Sequence, residues 1–127
     1  MMNPYDATAM AIFFFEGGNT ANPNVRNIRN CNPGNLRPYT AMQVTDADGY
    51  RTFPTFTLGW QALLGDISAK LTVHLTKKQT MLDFFNLYAP GADHNDPHGY
   101  AQYVCRFLSD ALAKTITLAS ALGDIYQ

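Results

Sequence analysis

Apolar residues recur with a helical period in four stretches of the chain, each opened by a polar capping residue. In the first, Asn3 can cap, Pro4 suits the first helical position, and Asp6 favours the positive helix end. Tyr5, Ala9, Ile12 and Phe13 then form an apolar stripe that Glu16 continues, although Phe14 and Phe15 blur the two faces. Thr57 is the expected cap of a second helix carrying Trp60, Leu63, Leu64, Ile67 and Leu71, with Trp60 assigned to the core. Thr80 and Asp83 resemble a capping box ahead of Met81, Phe84, Phe85 and Tyr88, and Pro90 stops that helix. Asp96 and Pro97 form a cap and first-position pair before Tyr100, Tyr103, Val104, Phe107 and Leu108. A short helix is expected near Leu118 to Leu122.

Between these stretches the pattern changes character. Residues Gly17 to Tyr39 read as loop, with Pro23, Pro33 and Pro38 and seven asparagines between Asn19 and Asn35. Asparagine tolerates left-handed backbone and bonds nearby main chain, so side-chain-to-backbone bonds should order this segment. Residues Ala41 to Phe53 suggest a small hairpin: Val44 precedes the turn Asp46-Ala47-Asp48-Gly49, and Tyr50, Thr52 and Phe53 follow it. No repeat or low-complexity linker divides the chain, so residues 1–127 are expected to form one mostly helical α+β domain with a small β-hairpin.

Composition narrows the classes. A hydrophobic content of 46% with 15% charged residues fits a globular domain, and a net charge of −1 supplies no basic field for nucleic acid. No apolar run approaches the roughly 18 residues of a membrane span, so no membrane insertion is expected. No cationic region precedes an apolar stretch at the N-terminus, and Asp6 interrupts it, so no signal peptide is expected. Cys31 and Cys105 are too few for a disulfide scaffold and are read as free thiols.

Glu16 is the only glutamate in the chain, and it stands directly before Gly17-Gly18. Burial and the negative end of a helix dipole both disfavour a charged carboxylate, so a raised pKa is expected there. A carboxyl group that keeps its proton near neutral pH is what general-acid chemistry requires. Glutamate also ends helices simply because its head reaches water.

The runs Ala11-Ile12-Phe13-Phe14-Phe15-Glu16-Gly17 and Arg29-Asn30-Cys31-Asn32-Pro33-Gly34-Asn35-Leu36-Arg37 resemble small phage and prophage lysozyme-like proteins. That family carries an AIxxFEG helix end followed by an RNNNPGNLR loop. Gly49 to Pro54, Gly59-Trp60-Gln61-Ala62-Leu63, Tyr88-Ala89-Pro90, Asn95-Asp96-Pro97 and Tyr100-Ala101 extend the resemblance in order, up to about Leu108. One departure is Cys31, where the family carries asparagine. The resemblance implies a lysozyme-like fold with its catalytic glutamate at the Glu16 position. It also implies cleavage of bacterial peptidoglycan as a muramidase or lytic transglycosylase, or a virion structural role beside virion components. With no signal expected, such a protein would sit in the host cytoplasm before holin-type release, or travel in the virion.

Cleavage of a β-1,4 bond needs a proton on the leaving oxygen, and hydrolysis normally adds a second carboxylate about 5 to 9.5 Å from the first. Asp46 and Asp48 are the sequence candidates for that second group, although Asp-Ala-Asp-Gly is ordinary turn chemistry. A lytic transglycosylase needs only one glutamate, acting as acid and then as base, which a solitary Glu16 favours. Asn32 and Asn35 could bind N-acetyl and hydroxyl groups, and Arg37 a carboxylate; Asn-Pro-Gly-Asn is equally a good turn. Tyr88 and Tyr100 could line the cleft or fill the core. Asp93, His94, Asp96 and His98 invite a metal reading, but Pro97 removes the regular helical face that such spacing uses. Asp46-x-Asp48-Gly49 lacks the remaining ligands of a calcium loop. Neither a metal nor a cofactor is therefore expected.

Overall fold

A computed structural model of the protein describes residues 2–91 and 95–126. Asn3 caps α1 (Pro4–Phe13), its Oδ1 accepting from the Asp6 N–H at 2.8 Å while its amide donates to the Asp6 carboxylate. The helix buries Ala7, Thr8, Ala9, Ala11 and Ile12, then widens into a π-helical turn over Phe14–Gly18. Such turns splay successive side chains apart. Phe13 meets Phe56 and Trp60, Phe14 meets Phe107, and Phe15 stacks on Tyr100. Gly17 closes the turn at φ +122°, a backbone region that L side chains avoid.

The asparagine-rich segment is ordered around one short helix, α2 (Arg26–Arg29). Thr55, rather than Thr57, caps α3 (Phe56–Ala69), accepting from the Leu58 N–H at 3.2 Å. The earlier start follows from Thr55, extended after Pro54, and places Phe56 to stack on Trp60 one turn on. The chain then passes through a second π-helical turn at Lys70–His74. α4 (Met81–Tyr88) starts at the Thr80–Asp83 capping box, and α5 (Pro97–Leu112) starts at Asp96, whose carboxylate accepts from the Gly99 N–H. The short helix expected near Leu118 is displaced to a single 3₁₀ turn at Leu122–Asp124. Its approach is held instead by an antiparallel bridge between Thr80 and Ala121.

The expected β-hairpin is not formed as strands. One antiparallel bridge, Thr45 to Arg51, closes around the Asp46–Gly49 turn, with the Asp46 N–H bonded to the Tyr50 carbonyl and the Thr52 N–H to the Val44 carbonyl. Arg51 and Phe53 instead donate their N–H groups to the carbonyls of Leu36 and Asn30 in the asparagine loop. The segment thus divides its hydrogen bonds between its own turn and that loop, with too few in a row to make paired strands. The described residues are mostly helical.

α1 packs against α3 and α5, and α5 also covers α4. Ile12, Leu63, Ile67, Phe84, Phe85, Val104 and Leu108 are fully buried where these helices meet. Tyr126, after the 3₁₀ turn, packs back on α1, sharing a 2.6 Å hydrogen bond with the buried Thr8 hydroxyl and meeting Tyr5 edge-on. No helix of the described residues is long and apolar enough to cross a membrane. Cys31 and Cys105 are both free.

Two backbone positions set limits on substitution. A Cβ on Gly59 would stand 1.8 Å from the Cys31 carbonyl oxygen, so the first turn of α3 touches the loop backbone only because this residue has no side chain. Gly59→Ala is expected to cost about 3 kcal/mol and lower Tm by roughly 10 °C. Ala113 ends α5 at φ +50° with the Lys114 N–H bonded back to the Ser109 carbonyl, a position that suits glycine. Ala113→Gly should therefore stabilise by about 0.5–1 kcal/mol. Thermal unfolding of the two variants tests both, and opposite signs are the expected outcome.

Candidate functional site

Glu16 lies in the π-helical turn, half-buried, with a donor on each carboxylate oxygen. Asn35 Nδ2 donates to Oε1 at 3.0 Å, and the Tyr100 hydroxyl donates to Oε2 at 2.6 Å. These bonds join the end of α1, the asparagine loop and α5 at one carboxyl group. Asn35 holds its position at φ +49°, the left-handed region that asparagine tolerates better than most residues. Its own Oδ1 is buried and has no partner among the described residues.

Tyr100 is fixed from both faces, its ring stacked on Phe15 at 4.0 Å and on buried Phe85 at 4.9 Å. Burial pushes its phenol well above the usual tyrosine range, and the neighbouring Tyr88 and Glu16 add to that, so it remains a proton donor. Tyr88 is raised in the same direction, by burial first and then by Glu16, and its hydroxyl donates to the Gly34 carbonyl at 3.2 Å.

Glu16 forms one wall of an open cleft of about 320 Å³ that Asn35, Arg37, Tyr39, Tyr50, Asp66, Lys70 and Tyr88 also line. Asp66 is a second carboxylate in this cleft. It is 6% exposed, and its Oδ1 accepts from Lys70 Nζ at 2.7 Å and from the Tyr39 hydroxyl. Burial and the Asp66 bond both raise the Tyr39 phenol. Sequence reasoning passed over Asp66 and Lys70. Asp66 stands three residues after Leu63 and one before Ile67, so it falls on the buried stripe of α3 with a lysine four residues on. A carboxylate on an apolar face with a cation at i+4 was the available signal.

Of the residues singled out from sequence, Glu16, Asn35, Arg37 and Tyr88 line the cleft, and Tyr100 reaches Glu16 from behind it. Arg37 donates to the Tyr50 hydroxyl and to the Asp48 carbonyl, with its guanidinium over the Tyr50 ring. Asn32 is not a cleft residue. It is fully buried, donating to the carbonyls of Leu36 and Arg51 and accepting from the Leu36 N–H, so its amide is spent on folding. Asp46 and Asp48 do not line the cleft either. Asp46 accepts from Asn30 at 2.9 Å, caps its own turn through the Asp48 and Tyr50 N–H groups, and lies 3.6 Å from Arg29. Asp48 pairs with Arg26 at 3.1 Å. Asp96 is committed to capping α5, while Asp93 and His94 of the metal reading lie outside the described residues.

No family model, curated protein or solved structure matches this chain.

Two variants test the reassignments. Asn32→Ala strands three backbone groups and should cost about 2–4 kcal/mol in urea unfolding, as expected of a structural residue. The Asn30 bond, then the Tyr50 and Asp48 N–H groups and Arg26, hold Asp46 below its ordinary pKa of 3.8. A folded pKa below the unfolded one stabilises the fold above the unfolded value and stops doing so as pH falls through the folded value. The stability lost in Asp46→Asn should therefore be constant at neutral pH and shrink as pH drops below about 3.8. A gap that stays constant into acid would remove Asp46 from that role.

Proposed function

We propose that this protein cleaves β-1,4 glycosidic bonds of bacterial peptidoglycan, between N-acetylmuramic acid and N-acetylglucosamine, as a lytic transglycosylase of lysozyme-like fold. The observation that carries the reading is the placement of the sole glutamate: half-buried on the wall of an open cleft, with both oxygens oriented by neutral donors. The cleft volume falls in the range of small-ligand sites, and its lining mixes tyrosine rings with amides and cations, as glycan recognition needs. The motif resemblance places its catalytic glutamate at the same position.

In the reaction, protonated Glu16 gives its proton to the glycosidic oxygen as the bond from that oxygen to the muramyl anomeric carbon breaks. The departing sugar leaves with a free hydroxyl. Glu16, now a carboxylate, takes the proton of the muramyl 6-hydroxyl as that oxygen closes on the anomeric carbon. A 1,6-anhydro ring forms, Glu16 is again protonated, and no water is consumed. Tyr100 and Asn35 keep the carboxyl in one orientation through both steps, so little reorganisation accompanies each transfer.

A hydrolytic muramidase would add a second carboxylate, and among the described residues Asp66 is the one that shares the cleft. Its Oδ1 already takes bonds from Lys70 and Tyr39, which leaves it poorly suited to activate water and favours the single-acid route. The enzyme would reach the wall by release from the host cytoplasm or as a virion component.

Glu16→Gln should fold normally and lose release of soluble fragments from purified peptidoglycan by at least about 100-fold, since the amide has no proton to give. Asp46→Asn should retain turnover at a temperature where it stays folded. Undiminished release by Glu16→Gln would sink the assignment, and binding without release by the wild type would leave a wall-binding protein of the same fold.

A further inference from the structure

Two aromatic rings remain in solvent beside Glu16 although core rings lie immediately beneath them. Phe15, its chain neighbour, is 42% exposed, and Tyr103 on α5 is 38% exposed. Their ring centroids are 5.2 Å apart at an interplanar angle of 60°, which makes an open corner. The inner face of Phe15 stacks on Tyr100, the residue whose hydroxyl holds Glu16, and Tyr100 in turn stacks on Phe85. The corner is therefore the solvent end of a ring stack that positions the acid. Neither ring lines the cleft. The Tyr103 hydroxyl has no hydrogen-bond partner among the described residues.

We infer that Phe15 and Tyr103 form a sugar-binding platform that holds a further ring of the glycan strand just outside the cleft. The inference rests on the proposed glycan substrate. A hexose ring presents a face of C–H bonds that packs on an aromatic ring while its equatorial hydroxyls stay in water, and a tyrosine hydroxyl at the rim can bond one of them. Size decides against a protein partner. Aromatic side chains bury about 150–250 Å² each, so two rings exposed to about two-fifths offer under roughly 200 Å². A stable protein interface needs about 800 Å² per partner. A polymer cleaved at Glu16 must run past it in both directions, and Phe15, the residue directly before Glu16, sets the exposed corner next to the acid yet outside the cleft lining.

The test uses the full chain carrying Glu16→Gln, so that binding is read without turnover, and peptide-free peptidoglycan glycan strands in titration calorimetry. Adding Tyr103→Ala or Phe15→Ala should weaken binding about three- to tenfold each, and Phe15→Trp should restore it. Tyr103 is the sharper probe, because it shares no ring contact or hydrogen bond with Glu16 or Tyr100. In active protein, Tyr103→Ala should raise KM and leave kcat unchanged, which a merely structural role would not do. Tight strand binding by Glu16→Gln that survives both alanine substitutions would overturn the platform and leave the glycan assignment standing. Absence of strand binding by wild type and Glu16→Gln alike would overturn the proposed substrate, and the platform with it.

Discussion

The buried Asn27 amide is the joint on which the site depends. Its Nδ2 donates to the Phe13 carbonyl at the end of α1 and to the Pro33 carbonyl in the loop, each at 3.1 Å. The first bond takes up a carbonyl at the point where regular helical bonding gives way to the wider turn, and the second fixes the loop that presents Asn35. Asn32 then closes the loop on Leu36 and Arg51, and Asn30 draws in Asp46 and Phe53. A segment with little regular structure becomes rigid because asparagine side chains replace the backbone partners it lacks. The proposed general acid is oriented from that loop through Asn35 and needs such rigidity, since a small displacement of the carboxyl forfeits much of the rate.

The same economy explains what was legible in the residues and what was not. Caps act within three or four positions, so Asn3, the Thr80–Asp83 box and the Asp96–Pro97 pair could be read directly, and the helices start where they indicate. Glu16 was legible as a lone acid at a helix end before a glycine pair. The hairpin is reduced to a single bridge because the alternation after Val44 reports extended backbone, not the partner to which it bonds; here Thr52 bonds back to Val44 while Arg51 and Phe53 bond to the asparagine loop. Asn32 and Asn35 are equivalent in sequence, and only packing separates a saturated structural amide from one that touches Glu16. Asp46 was local turn chemistry after all, whereas Asp66 was hidden in an apolar stripe.

Cys31 shows where local and global demands conflict. It sits at φ +50°, a region that disfavours most side chains, and its carbonyl faces the bare Cα of Gly59. Asparagine is the side chain that best tolerates this backbone, and cysteine stands there instead. Cysteine therefore leaves a small strain in the loop, absorbed by the amide bonds on either side at Asn30 and Asn32. A site built this way resists single losses poorly, because the Asn27 and Asn32 side chains each bond two segments at once.

The central claim is that one carboxyl group does both proton transfers, and the mass of the product tests it most directly. Fragments released from purified peptidoglycan should end in 1,6-anhydro-muramic acid, lighter by one water than a hydrolytic product. Reducing-end muramic acid in their place would contradict the claim and turn attention to Asp66 as a second carboxylate.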